Sequence, residues 1–430
     1  MNNLRRACLA AGAFTLLLIL SCQPAHSYSV LTHEAIVDST WDSAIKPLLL
    51  KRFPATTPEE IVASHAYAYG GCIIQDLGYY PFGSKFYSDL THYVRSGDFI
   101  LALIREAQDL NEYAFALGAL AHYAADNNGH RIATNVAVPL LYPGLRAKFG
   151  NFVTYEDDPV AHGKTEFGFD VFQAAKSRYA SDAYKGFIGF QVAKPVLQRA
   201  FEDTYGLKIE KVFFNLDLAI GSYRRAVGTI LPALTKVAWQ LRKQEIRKDA
   251  PGITRKTFLY NLSRSSFEKN WGATYRRPSF WSRALTGFFH IVPKSGPFKA
   301  LGYKNLTPET EKLYMAGFNA SIDKYNELLN GVSRGQFELR NDNFDVGEVT
   351  KAGKYKLTDA AYMRLLQKLE GHYPEMAPAL RRDILAFYAD SLQRGPRATK
   401  GDAGRLQTNL EYLDGIDRDL SPRNSTVAIR

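Results

Sequence analysis

The stretch NEYAFALGALAHYAADNNGH, from Asn111 to His130, sets the fold class. Tyr113, Ala116, Leu117, Leu120 and Tyr123 recur at helical spacing, with none of the period-two alternation of a strand. Asn111 is a residue type that opens helices. On this predicted helix His122 and Asp126 stand four residues apart and so share a face. A histidine and a carboxylate directed into an apolar core are costly unless they are paired or bound to a metal.

Helical periodicity extends in both directions. Thr32 is placed to cap a helix through His33, Ala35, Ile36 and Trp41, and Asp98 to cap the run from Phe99 to Ile104. Further helices are expected near 170–200, 208–244, 307–330, 358–370 and 376–393. Between Gly70 and Gly97 the chain is rich in Gly, Tyr, Phe and Pro, which reads as a long ordered loop. Residues 394–408 read as a mobile polar loop. The expected class is all-α. The expected division is a signal peptide over 1–27, a metal-binding catalytic helical domain over 28–205, a basic aromatic helical region over 206–305 and a helical C-terminal extension over 306–430.

The N-terminus carries the marks of an export signal. Arg5 and Arg6 are its basic region and Ala10 to Leu20 its apolar core. Ala25-His26-Ser27 is a small-x-small cleavage site that leaves Tyr28 first. Lipoprotein-type cleavage at Cys22 is the alternative, so the expected location is periplasmic or secreted, or anchored through Cys22. After cleavage only Cys72 remains and no intrachain disulfide can form. Removal of both arginines lowers the formal charge from +11 to +9. An exported protein this basic is drawn to phospholipid headgroups, polyphosphates or nucleic acid. The charge concentrates between Lys236 and Lys304, where fifteen Lys or Arg face three acids among interleaved aromatics such as Trp271 and Trp281. That pattern suits docking on an anionic membrane, or a helical appendage with aromatics inside and solvated cations outside. No obligate protein partner is evident in the sequence.

A second i, i+4 pair, His162 and Glu166, follows the first, and His130 continues the face of Asp126 if the helix survives Gly129. Zinc prefers imidazole and carboxylate ligands, and a catalytic site keeps one position open for water. No phosphate-cradling Gly loop, Gly-x-Ser-x-Gly elbow or Cys-based zinc site is present in the sequence.

The order Tyr28, His33, Asp76, His92, His122 with Asp126, His130, and His162 with Glu166 resembles the bacterial zinc-dependent phospholipases C, which share a fold with fungal single-strand nucleases. The resemblance covers about residues 28–170. It implies an all-helical zinc-dependent phospholipase C-like domain, two to three zinc ions, and cleavage of a phospholipid or other phosphodiester by a metal-activated water. Carried over by position, Asp76, His92, His122 and Asp126 would hold one ion. Asp126 would bridge to a second, completed by His33 and the amine and carbonyl of Tyr28. His130, His162 and Glu166 would hold a third. Asp76 would also position or deprotonate the attacking water. The chain departs from the family in having Tyr28 for Trp and only four residues from Asp126 to His130, which leaves formation of the third site open.

Other residues carry two readings. His65 suits an outer-shell role or a hydrogen-bonded core histidine, and Tyr79, Tyr80, Phe82 and Phe86 a substrate cleft or a packed aromatic loop. Asp157 and Asp158 read as a solvated turn, and His290 and His372 as ordinary residues. Two alternatives to phospholipid cleavage stand beside it: a single-strand nuclease on the same ligands, and a non-catalytic, zinc-stabilised protein that binds the cell envelope.

Overall fold

The computed structural model describes residues 30–175, 189–227, 303–389 and 407–416, together with Gln244. Residues 394–406 of the expected mobile loop, most of the basic aromatic stretch and everything before Val30 lie outside the described residues. The last two residues of that loop, Gln407 and Thr408, are helical. The fold is all-α. In chain order the helices are α1 (Val30–Thr40), α2 (Lys46–Arg52), α3 (Pro58–Gly71), α4 (Lys85–Tyr93), α5 (Ser96–Glu106), α6 (Leu110–Gly129) and α7 (Asn135–Leu141). They continue with α8 (Pro143–Phe149), α9 (Pro159–Ala175), α10 (Lys194–Tyr205), α11 (Leu216–Arg225), α12 (Pro308–Arg334), α13 (Lys356–Leu369) and α14 (Pro378–Phe387). A two-stranded antiparallel hairpin, β1 (Asp342–Asn343) and β2 (Glu348–Val349), pairs Asp342 with Val349 and Asn343 with Glu348.

Helix α6 is the axis of the molecule. It packs against α1, α3, α5 and α12. Its faces are buried all round, from Tyr113 and Phe115 through Ala124 and Ala125, where its periodicity suggested one apolar face. A helix covered on every side belongs at the centre of a core, and small side chains let its neighbours approach closely. The approach of α3 depends on two glycines. A Cβ at Gly118 would lie 2.0 Å from the Ala68 carbonyl oxygen, and one at Gly71 would lie 1.9 Å from that of Phe115. Backbone cannot yield as a side chain can, so Gly118→Ala should destabilise the protein by about 3 kcal/mol or more. A urea midpoint equal to wild type would show that the helices are farther apart than this.

The C-terminal helices join the same core. In α12, the Tyr325 hydroxyl donates to the Leu117 carbonyl at 2.8 Å and the Ser321 hydroxyl to that of Ala125 at 3.3 Å. Residues 407–416 are helical and bury Leu410 and Leu413 in it.

Several helix starts differ from the sequence reading. Thr32 lies inside α1, and its hydroxyl donates to Asp170 at 2.6 Å rather than capping the helix. Helix α5 begins after Arg95, which takes a left-handed conformation, and Asp98 receives that arginine's guanidinium. Helix α6 is capped by Asp109, whose carboxylate accepts the Glu112 amide at 2.9 Å, two residues before Asn111. The expected loop between Gly70 and Gly97 contains a 3₁₀ turn, Ile74–Tyr79, and all of α4. Its aromatic and β-branched residues are indifferent helix formers, so contacts with the core decide their conformation. Of the helical stretch expected near 170–200, the described residues show α9 up to Ala175, a non-helical segment over 189–193 and α10 from Lys194, while 176–188 lie outside the described residues.

Candidate metal centre

Six elements deliver the ligand-type side chains to one buried region. His33 comes from α1, Asp76 from the 3₁₀ turn and His92 from the last turn of α4. His122 and Asp126 come from α6, one turn apart. His130 opens a π-helical turn, His130–Thr134, that follows α6 without a break. His162 and Glu166 face inward from α9. All eight are buried.

Asp126 lies at the centre. Its Oδ2 is 3.0 Å from His122 Nε2 and 3.6 Å from His92 Nε2, while Oδ1 is 3.4 Å from His33 Nε2. His92 Nε2 is also 3.4 Å from Asp76 Oδ1. The two oxygens of one carboxylate thus face two different sets of imidazoles. The rings are locked together: His33 stacks on His122 at 4.4 Å between centroids, and His92 meets His122 edge-on at 5.3 Å. Backbone carbonyls hold the outward nitrogens, that of Cys72 at 3.0 Å from His122 Nδ1 and that of Ser88 at 2.8 Å from His92 Nδ1. An imidazole that donates from Nδ1 to a carbonyl keeps its Nε2 lone pair for a metal.

A second group lies alongside. His130 Nε2 is 3.0 Å and His162 Nδ1 3.3 Å from Glu166 Oε1. The π turn bears on the short spacing. It widens the helix by one residue per turn where His130 begins, a device common at functional sites, and His130 Nε2 also lies 3.9 Å from Asp126 Oδ1. Three sets, His33–His122–Asp126, Asp76–His92–His122 and His130–His162–Glu166, each bring one ligand atom per residue within 4.8 Å of one another.

The donor set fits a cluster of cations. Neither oxygen of Asp126 nor of Glu166 has a hydrogen-bond partner among the described residues, though imidazole nitrogens approach them. Buried carboxylates in that state cost several kcal/mol unless a positive charge lies between them and their neighbours. Burial opposes charge on His92, but Asp126 and Asp76 outweigh it and carry its pKa to about 10. Burial likewise opposes charge on His162, and Glu166 and Asp345 carry it to about 10. His33 goes the other way: burial, with His122 beside it, depresses its pKa well below the ordinary value. Burial works against ionisation of Asp126, yet the surrounding imidazoles hold its carboxyl well below the usual range.

Tyr28 lies outside the described residues, as does His290. His65 belongs to a separate pair: its Nε2 is 3.1 Å from Asp38 Oδ1 and its ring stacks on Trp41 at 3.7 Å. His372 is exposed and contacts Glu375. Asp157 accepts the Thr154 amide and hydroxyl and Asp158 accepts the Ala161 amide, so these half-buried acids belong to the expected turn and also order the entry to α9. Of the four loop aromatics, Tyr79 borders the cluster, with its ring 6.1 Å from His92. Tyr80 packs on Tyr223, and Phe86 is buried in the core.

The reading from sequence missed Asp345. It lies in the turn of the hairpin, two residues beyond β1, and its Oδ1 is 3.4 Å from His162 Nε2 and 3.6 Å from His130 Nδ1. No motif marks it, because it joins the cluster from almost 180 residues beyond Glu166. Comparison with curated proteins and with solved structures gives no match. Comparison with family models does: over residues 32–215, which contain every described ligand-type residue except Asp345, the chain matches the family described as zinc dependent phospholipase C.

Proposed function

We propose that the protein is an exported phosphodiester hydrolase of phospholipase C type, acting on phospholipid with two to three zinc ions in this centre. The observation that carries the reading is Asp126, a buried carboxylate whose two oxygens face separate imidazole sets and lack hydrogen-bond partners among the described residues. The family match over residues 32–215 supports it and points to a hydrolase. Zinc bound there would neutralise phosphoryl charge and acidify a water towards a pKa of about 7.

The remaining work falls to the chain. His122 and His92 present nitrogens whose opposite edges are pinned by backbone carbonyls, so the rings need no reorganisation. Asp76, 3.4 Å from His92 and buried beside it, is the carboxylate proposed to orient the attacking water and take its proton. Tyr79 and Tyr155, with rings 6.3 Å apart, form an aromatic wall next to the ligands that limits the entry of bulk water. The decisive assay gives purified protein phosphatidylcholine vesicles and single-stranded DNA, each with and without chelator. Chelator-sensitive release of phosphorylcholine supports the proposal. Cleavage of DNA alone would assign the centre to a nuclease, and no cleavage of either by zinc-replete protein would leave a zinc-stabilised binding protein.

Export and membrane docking belong to the same proposal. Cleavage after Ser27 would give Tyr28 a free amine able to complete the His33 group, and intact mass of the secreted protein reads this directly. A lipidated Cys22 would replace that ligand with an anchor. No described helix is long and apolar enough to cross a membrane. Docking is assigned to the basic aromatic stretch, which lies almost wholly outside the described residues. Each cation near an anionic bilayer contributes about 1 kcal/mol. Arg276→Ala with Arg277→Ala should therefore weaken vesicle binding roughly thirty-fold at low salt, with turnover of a water-soluble phosphodiester unchanged. Equal losses on both substrates would argue against docking.

A further inference from the structure

Hydrogen bonds to several elements hold Asp345 beside the metal centre. Its amide donates to Asn343 Oδ1 at 2.9 Å, and its carbonyl accepts from Asn135 Nδ2 at 2.6 Å. Its Oδ2 accepts the Tyr155 amide at 2.9 Å and also the Tyr355 hydroxyl. That leaves Oδ1, directed at the two histidines. Neighbouring residues seat the hairpin. The Phe344 amide donates to the His92 carbonyl at 3.2 Å, and the Phe344 ring meets that of His92 edge-on at 5.4 Å. Gly347 turns the hairpin with φ +67°, and a Cβ there would lie 2.5 Å from the Asn127 carbonyl oxygen, so the turn is pressed onto the end of α6.

The nitrogens that Asp345 faces are the outward ones. His130 meets Glu166 through Nε2 and Asp345 through Nδ1. His162 meets Glu166 through Nδ1, and Asp345 and Asn135 through Nε2, the latter at 3.0 Å. A neutral imidazole carries one N–H. If each ring spends that proton on the Asp345 side, both lone pairs converge on the Glu166 side, where an ion would sit. We propose that Asp345 is a positioning residue that fixes the tautomer and orientation of both histidines. The hairpin beyond the matched residues 32–215 then sets the occupancy of the third metal site. This rests on the metal-centre reading above.

An outer carboxylate of this kind is worth about 10- to 100-fold in metal affinity. The test uses full-length processed protein and its Asp345→Asn and Tyr355→Phe variants, titrated with Zn2+ and, separately, with Co2+ followed by its visible spectrum. Asparagine that keeps its oxygen on the Tyr155 amide and the Tyr355 hydroxyl presents only an NH2 donor to the imidazoles, which favours the wrong tautomer. In Asp345→Asn the third ion should bind about 10- to 100-fold more weakly, with its cobalt bands altered and the other two ions unchanged. Tyr355→Phe, which only loosens Asp345, should show the same effect reduced, and it decides alone if the asparagine variant does not fold. Wild-type affinity and spectrum for the third ion in the folded variants overturn the proposal. So does equal weakening of all three ions, which would mean a general structural role. Wild-type protein that binds no metal overturns the metal-centre reading itself.

Discussion

Asp126→Asn should give a folded protein with at least one zinc ion fewer per chain and activity lower by about a thousand-fold or more. The change keeps size and shape inside α6, where the residue is fully buried. It removes the negative charge and turns one of the two oxygens into an NH2 group, which cannot ligate. One oxygen faces His122 and His92 and the other faces His33, so whichever is replaced, one imidazole set loses its carboxylate. Loss of an ion that stabilises transition-state charge is worth several kcal/mol, and about 4 kcal/mol corresponds to a thousand-fold in rate. Elemental analysis with circular dichroism separates loss of metal from loss of fold. A variant with full zinc content and full activity would remove Asp126 from the centre.

Zinc uptake should depend steeply on pH. In the metal-free protein His92 and His162 hold their protons up to about pH 10, because the carboxylates beside them outweigh the penalty of burial. A metal ion needs the deprotonated nitrogen. At pH 7 each of these histidines must therefore release a proton as its ion binds. Their folded pKa values lie above the ordinary 6.5, so the competing proton is lost only as pH rises through the folded values, and affinity climbs across that window. Each displaced proton changes the apparent affinity about tenfold per pH unit. An ion displacing one such proton should bind roughly tenfold more weakly at pH 6 than at pH 7, and filling both sites should release about two protons. Calorimetry in buffers of different ionisation enthalpy counts them directly. Uptake with no proton release would mean that the imidazoles are already neutral, and the charge balance described for His92 and His162 would be wrong.

Much of the helical architecture was legible locally, and for a definite reason. The i, i+4 geometry that places His122 beside Asp126 and His162 beside Glu166 belongs to the helix alone, so period and ligand spacing appear together in the primary structure. The same period exposes one face of the core, that of Tyr113, Ala116, Leu117, Leu120 and Tyr123, though not the burial of the other faces of α6. What stayed hidden depends on contacts between distant segments. Helix α4 carries weak intrinsic propensity and forms because Phe86, Tyr87 and Leu90 find a core to enter. The need for glycine at 71 and 118 exists only once α3 lies against α6. His130 reaches Glu166 through a π turn that no spacing rule announces. Asp345 is the clearest case. An aspartate in a short hairpin has no pattern to read, and it acquires a role only when folding buries it against two imidazoles from other elements. Ligands that share a helix are encoded by periodicity, whereas the groups that hold them in place are assembled by packing.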